Sequence, residues 1–159
     1  MASGSLAGRC GCGAITYTAQ GPPLFSVLCH CQACTRACGS SPVHIVAVQS
    51  DSVRVVAARW ARGLLVRGPT GANGMTRAFC ADCGTILHQG PKDAHFRGIL
   101  AATLDDVRPM PEELRPTAHI NYESRCCDAR DDLPRFVTFP DGTGWQWKDA
   151  STSLGEPKA

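Results

Sequence analysis

The chain has 159 residues, a formal net charge of +2 and ten cysteines. That length suits one domain with a sizeable core. Lys and Arg are not clustered as a nucleic-acid footprint would require, and no apolar run reaches membrane-spanning length. The opening, Met1-Ala2-Ser3-Gly4-Ser5-Leu6, has neither the charged nor the apolar region of an export signal. Ten thiols without such a signal read as metal ligands in a reducing, cytoplasmic setting before they read as disulfides. A secreted disulfide protein whose signal had been cut away is the competing reading.

In chain order, Gly8-Arg9-Cys10-Gly11-Cys12-Gly13 comes first, where glycines let the backbone turn tightly and two sulfurs converge. Ala14 to Ala19 alternates and is β-branched, which predicts a strand, and Gly21-Pro22-Pro23 ends it. Leu24 to Leu28 predicts a second strand that delivers Cys29. Cys31 to Gly39 is expected to be a turn or short helix. Val43 to Val48 and Val53 to Ala57 are strand-like, and Gly63 to Val66 is a weaker strand candidate. Gly68 to Gly74 reads as a loop.

Thr76 to Phe79 leads into Cys80-Ala81-Asp82-Cys83-Gly84-Thr85, which has the form of a zinc knuckle, followed by a strand at Ile86 to His88. Strands are also expected at Phe96 to Thr103, at His119 to Tyr122 and, at a sheet edge, at Arg135 to Phe139. Leu104-Asp105-Asp106 starts a turn, and Pro109 and Pro111 break any long helix. The polar residues 141–159 are expected to form a partly frayed tail. The sum is a mainly β domain over residues 5–140 with very little helix.

Two groups of cysteines carry the chemistry. Cys10 with Cys12 and Cys80 with Cys83 can together make a closed four-thiolate zinc that crosslinks distant stretches. A redox-active Cys80/Cys83 dithiol is the alternative, but the βαβ surroundings of a thioredoxin-like motif are missing. Cys29-His30-Cys31-Gln32-Ala33-Cys34 places three thiols within six residues. On an extended segment Cys29 and Cys31 share a side, and the next two residues turn the chain so that Cys34 meets the same ion. Three protein ligands leave a zinc one place for substrate, whereas four make it structural. Zn²⁺ with three thiolates has net charge −1, so it acidifies water less than a three-histidine zinc and suits the exchange of an incoming thiol.

These stretches, in this order, resemble the glutathione-dependent formaldehyde-activating enzyme family, which includes the centromere protein V group. The resemblance is carried by Gly8-x-Cys10-x-Cys12-Gly13, Cys29-His30-Cys31-x-x-Cys34 with Gly39-Ser40, Arg77-x-Phe79-Cys80-x-x-Cys83-Gly84-Thr85, Leu104-Asp105-Asp106, His119-Ile120 and Asp132-Leu133-Pro134. It implies a β-tent fold of mainly antiparallel sheets with two zinc ions. One is structural on Cys10, Cys12, Cys80 and Cys83; the second, on Cys29, Cys31 and Cys34, is the site of chemistry. The implied activity is carbon–sulfur lyase chemistry of the S-(hydroxymethyl)glutathione synthase type.

The chain departs from the family pattern at three places. Cys38 could supply a fourth sulfur to the trio or simply pack as a small hydrophobe. Cys126 and Cys127 replace a stretch that often carries an aromatic residue; their side chains diverge in extended chain, which disfavours a shared metal. The Arg67–Gly74 loop is longer than usual.

Among the histidines, His30 should point away from its neighbours' metal. His44, His88 and His119 read as hydrogen-bonded strand residues and His95 as a surface one. His119 is the candidate to act at the site with Cys29, Cys31 and Cys34, as a catalytic or supporting group. Asp105 and Asp106 read as turn caps before acid–base groups. Trp60, Trp145 and Trp147 read as core or surface-edge aromatics.

The reading is therefore a zinc-dependent lyase taking a thiol adduct or small electrophile, with a thiol such as glutathione as substrate. Neither nucleic acid nor membrane is expected as a partner, and a homo-oligomer is compatible with the sequence. The rivals are a non-catalytic zinc module that binds a protein or chromatin partner, and a thiol redox protein using Cys38, Cys126 or Cys127.

Overall fold

The structure is a computed structural model that describes residues 4–70 and 74–139. It is mainly β, with ten strands in an antiparallel sheet and a mixed sheet and a single α-helix among the described residues. No helix there is long and apolar enough to cross a membrane. The chain groups into two compact units. Among the described residues, the first runs up to Phe25 and resumes over Val46–Leu114; the second comprises Ser26–Ile45 and residues 115–139.

In the first unit, β1 (Ser5–Arg9), β2 (Ile15–Gln20) and β5 (Val53–Ala57) form the antiparallel sheet in the order β1-β2-β5. In β2, buried and exposed residues alternate strictly, as the period of a half-buried strand requires. β1 was not expected, because Ser-Leu-Ala-Gly-Arg has little β-propensity of its own. Its pairing with β2, from Ser5 opposite Gln20 to Arg9 opposite Thr16, makes it a strand. Gly8 lies opposite Tyr17, whose hydroxyl bonds that of Thr103 at 2.7 Å.

The same unit holds β6 (Leu64–Thr70), β7 (Met75–Cys80), β8 (Ile86–Pro91) and β9 (Phe96–Leu100), paired antiparallel in that order. The core gathers Ile15, Tyr17, Val46, Val48, Leu87, Ile99, Leu104 and Leu114 around Cys10 and Cys80. Two expectations are corrected here. β6 continues through Gly68 and Pro69, which were read as loop; its register shifts between Arg67 and Thr70, and such a bulge on an outer strand tolerates Pro. The strand expected to reach Thr103 stops at Leu100. A 3-10 turn follows at Ala101–Thr103, and the Thr103 hydroxyl donates back to the Leu100 carbonyl at 2.8 Å.

The second unit contains β3 (Phe25–Cys29) from Ser26 on, α1 (Gln32–Cys38), the start of β4 (Val43–Gln49) and β10 (His119–Ile120). β10 lies parallel to β3, with His119 beside Leu28 and Ile120 beside Cys29. The late strand was expected to reach Tyr122. It ends at Ile120 because Asn121 adopts a left-handed conformation, φ 52° and ψ 38°, and a 3-10 turn follows at Tyr122–Ser124. The edge strand expected at Arg135 to Phe139 reduces to a bridge between His119 and Arg135. Trp60 is 65% exposed, a surface aromatic. Trp145, Trp147 and the tail at 141–159 lie outside the described residues.

Candidate functional site

Two cysteine clusters stand out, each inside one unit. In the first unit, the sulfurs of Cys10, Cys12, Cys80 and Cys83 all lie within 4.8 Å of one another. Two turns of nearly the same construction deliver them. The first follows β1: the Gly13 N–H donates to the Cys10 carbonyl (3.0 Å), and the Ile15 N–H approaches the Cys10 sulfur at 3.2 Å. The second follows β7: the Gly84 N–H donates to the Cys80 carbonyl (2.9 Å), and the Asp82 N–H reaches the Cys80 sulfur at 3.4 Å. Gly13 and Gly84 share a φ of 76°, the left-handed conformation that glycine enters without steric cost. The Gly11 N–H donates to the Thr85 hydroxyl at 3.0 Å, so one turn is bonded to the other.

The electrostatics of the four thiols are uneven. The Thr85 hydroxyl and then its backbone N–H hold the Cys83 thiol down at about 6. Cys12 is pushed up to about 12: the Ala14 backbone N–H pulls it down, but desolvation and the sulfurs of Cys83 and Cys10 outweigh that pull. One thiolate here makes the next costlier, so a cation is needed to ionise the whole set. Four soft donors within this span fit a tetrahedral metal such as zinc.

In the second unit, the sulfurs of Cys29, Cys31 and Cys34 lie within 4.8 Å of one another. Cys29 is the last residue of β3. Cys31 is the N-cap of α1, and its sulfur accepts the Cys34 N–H at 3.2 Å. The motif thus works as a helix cap, and capping brings the third sulfur onto the first two. α1 stops at Gly39, φ 63°, whose N–H donates to the Thr35 carbonyl at 2.8 Å. Hydrogen bonding with Cys31 and then with Cys34, together with burial, pushes the Cys29 thiol far up. Three thiolates in one place again call for a cation, and this donor set also fits zinc. Cys38 lies outside the cluster. It sits a full helical turn beyond Cys34, about 6 Å along the axis.

No histidine joins either sulfur cluster among the described residues. His30, 2% exposed, faces His119 with its Nε2 at 2.8 Å from His119 Nδ1. His119 Nε2 lies 3.0 and 3.1 Å from the two carboxylate oxygens of Asp131. Hydrogen bonding to His119 holds the Asp131 carboxyl below its ordinary range. An ionised carboxylate only accepts, so the His119 Nε2–H donates to Asp131. Tyr122 packs edge-on against both rings, with centroids 5.0 and 5.6 Å away. His30 points away from the trio as expected, and His119 reaches His30 and not the sulfurs.

The remaining expectations sort by partner. His44 Nε2 meets the Ser26 hydroxyl at 2.8 Å, and His95 is exposed. Asp105 accepts two bonds from the Arg9 guanidinium, 2.8 and 3.0 Å long. Cys126 and Cys127 are exposed thiols. Sequence reasoning missed Asp131 and Asn121, whose side-chain amide donates to the Cys29 sulfur at 3.5 Å. No local signal separates Asp131 from Asp128 and Asp132, and Asn121 read as one more strand residue.

Comparison with known proteins adds three findings. The sequence profile described as "Glutathione-dependent formaldehyde-activating enzyme" matches residues 5–124. Among curated proteins none matches. A solved structure, a protein of Rhodobacter sphaeroides, is similar at 24% identity with a TM-score of 0.52, covering 65% of this chain and 91% of that chain. That likeness bears on the fold alone.

Proposed function

Because the chain belongs to the glutathione-dependent formaldehyde-activating enzyme family, we propose that it is a zinc-dependent carbon–sulfur lyase-type enzyme. It joins a small electrophile such as formaldehyde to a thiol such as glutathione, or releases it from the adduct. The observation that carries this reading is the presence of two sulfur sets of different size, one of four and one of three. Cys10, Cys12, Cys80 and Cys83 fill every place of a tetrahedral ion and act as a staple. Cys29, Cys31 and Cys34 leave such an ion one place for a substrate atom. When bound there, zinc supplies Lewis acidity and affinity for thiolate sulfur.

The reaction needs no oxidant. A sulfur–carbon bond forms, the thiol gives up its proton, and the carbonyl oxygen gains one. The trio's part is to hold the ion at the start of α1. His119 with Asp131 supports the segment from behind, by fixing His30 between two of the ligands. A nearby acid–base group, or water in its place, carries the proton.

Metal content per chain with zinc-edge absorption spectroscopy tests the reading. Two ions are expected, one with four sulfurs and one with three sulfurs and a lighter atom, the latter changing on addition of glutathione. Two closed four-sulfur sites, or a trio that takes no metal from a replete buffer, would instead support a stapled scaffold that binds a partner.

A further inference from the structure

We propose that Asn121 is a positioning residue for the cysteine trio. Its side-chain amide donates to Cys29 and sets how much charge that sulfur passes to a bound metal. The proposal rests on the reading that the trio holds a metal. Asn121 Nδ2 lies 3.5 Å from Cys29 Sγ, a normal distance for a hydrogen bond to sulfur. A metal-bound thiolate can only accept, so the amide must present its N–H₂ end.

The backbone brings this donor into place. β10 runs parallel to β3 with Ile120 beside Cys29, so residue 121 follows directly past the sulfur. There the chain turns into the left-handed region, at φ 52°. The turn is held by the Asn121 N–H on the Thr138 carbonyl (2.9 Å), the Tyr122 N–H on the Phe136 carbonyl (2.9 Å) and the Ser124 N–H on the Asn121 carbonyl (3.1 Å). Gly, Asn and Asp tolerate that conformation. Of the three, Asn alone carries an N–H to give.

The donor changes the chemistry of the trio. Three thiolates overcompensate a dication, and each N–H···S bond drains charge from one sulfur. Cys31 receives a main-chain donor from Cys34, fixed by the helix cap. Cys29 receives its donor from a side chain, the kind of supporting contact that orients a ligand and tunes the metal.

Asn121→Gly deletes the donor and at the same time relieves the left-handed backbone, so it separates the two roles. The test loads wild type and variant with cobalt(II), records the thiolate-to-cobalt charge-transfer band, and follows iodoacetamide labelling cysteine by cysteine with mass spectrometry. In Asn121→Gly the fold should hold, the band should move to lower energy, and Cys29 should label several-fold faster relative to Cys31. Cobalt affinity at the trio should drop about 10–100-fold. Asn121→Asp, which keeps shape and turn but sets a carboxylate against the thiolate, should weaken the trio further.

A trio that holds cobalt in both proteins with unchanged band and labelling overturns the proposal and leaves the functional reading standing. A wild-type trio that takes no cobalt overturns both. Loss of near-ultraviolet circular dichroism in both variants marks a purely structural residue and also overturns it.

Discussion

Gly8 and Gly84 are both glycine, for opposite reasons. At Gly8 the backbone is ordinary, but an added Cβ would lie 2.3 Å from the Tyr17 hydroxyl and 2.5 Å from the Thr103 carbonyl oxygen. Tyr17 is itself buried and bonded, so it cannot swing away. Gly8→Ala should cost about 1–3 kcal/mol by overpacking, read as a lower urea midpoint with unchanged metal content. At Gly84 an added Cβ meets nothing within 4 Å, and only the positive φ matters. Gly84→Ala should cost about 1–2 kcal/mol, and a left-handed-tolerant Gly84→Asn should cost less.

His88 carries a pH dependence of its own. Burial, and then the charge of Arg97, depress it to about 4. Between that value and the ordinary histidine range the unfolded chain binds more protons than the folded one, so stability falls as pH falls through this window. The loss relative to neutral pH reaches about 3 kcal/mol at the acid end. Denaturant titrations of wild type and His88→Gln from pH 7 to 4 check it. The variant should lose correspondingly less, and parallel curves would sink the assignment.

At the scale of elements, α1 is seven residues long, too short to be stable alone. Its start is instead fixed by Cys31, which is cap and candidate ligand at once. Cys31→Ser separates these roles, because a serine hydroxyl caps a helix well but is a poor zinc ligand. Far-ultraviolet circular dichroism should be unchanged. Native mass spectrometry should show one ion per chain, and turnover of formaldehyde with glutathione should vanish. Retained turnover would remove the trio from the chemistry. The strands show the limits of local reading. β2 and β5 announce themselves by β-branched residues and alternation, whereas β1 is a strand because of its partner and β10 ends where Asn121 turns left-handed. Propensity is a property of a few neighbours, and pairing is not.

At the scale of the molecule, each compact unit contains one sulfur cluster. The four-cysteine set lies against the core of the first unit, with Cys10 and Cys80 both buried. Cys80→Ser should therefore lower the melting temperature sharply, since metal binding at such a set is folding free energy. A strong chelator should act in two stages, taking the three-sulfur ion before the four-sulfur one, and only the second should be accompanied by unfolding. Simultaneous loss of both ions with the fold would contradict the division of labour.

The sequence by itself determined which thiols can act together. Cys29, Cys31 and Cys34 are neighbours in the chain, and Cys80-x-x-Cys83-Gly84 builds its turn from adjacent peptide groups. Such geometry follows from spacing, and so does the mainly β character. Tertiary structure alone decided what surrounds them: that His30 meets His119 across 89 positions, that Asp131 and not Asp132 takes the other nitrogen, and that Asn121 reaches Cys29 across 92 positions. Those contacts depend on the parallel pairing of β10 with β3 and on a single left-handed residue. Neither leaves a periodic mark in the chain, because a contact between distant segments is set by how whole elements pack.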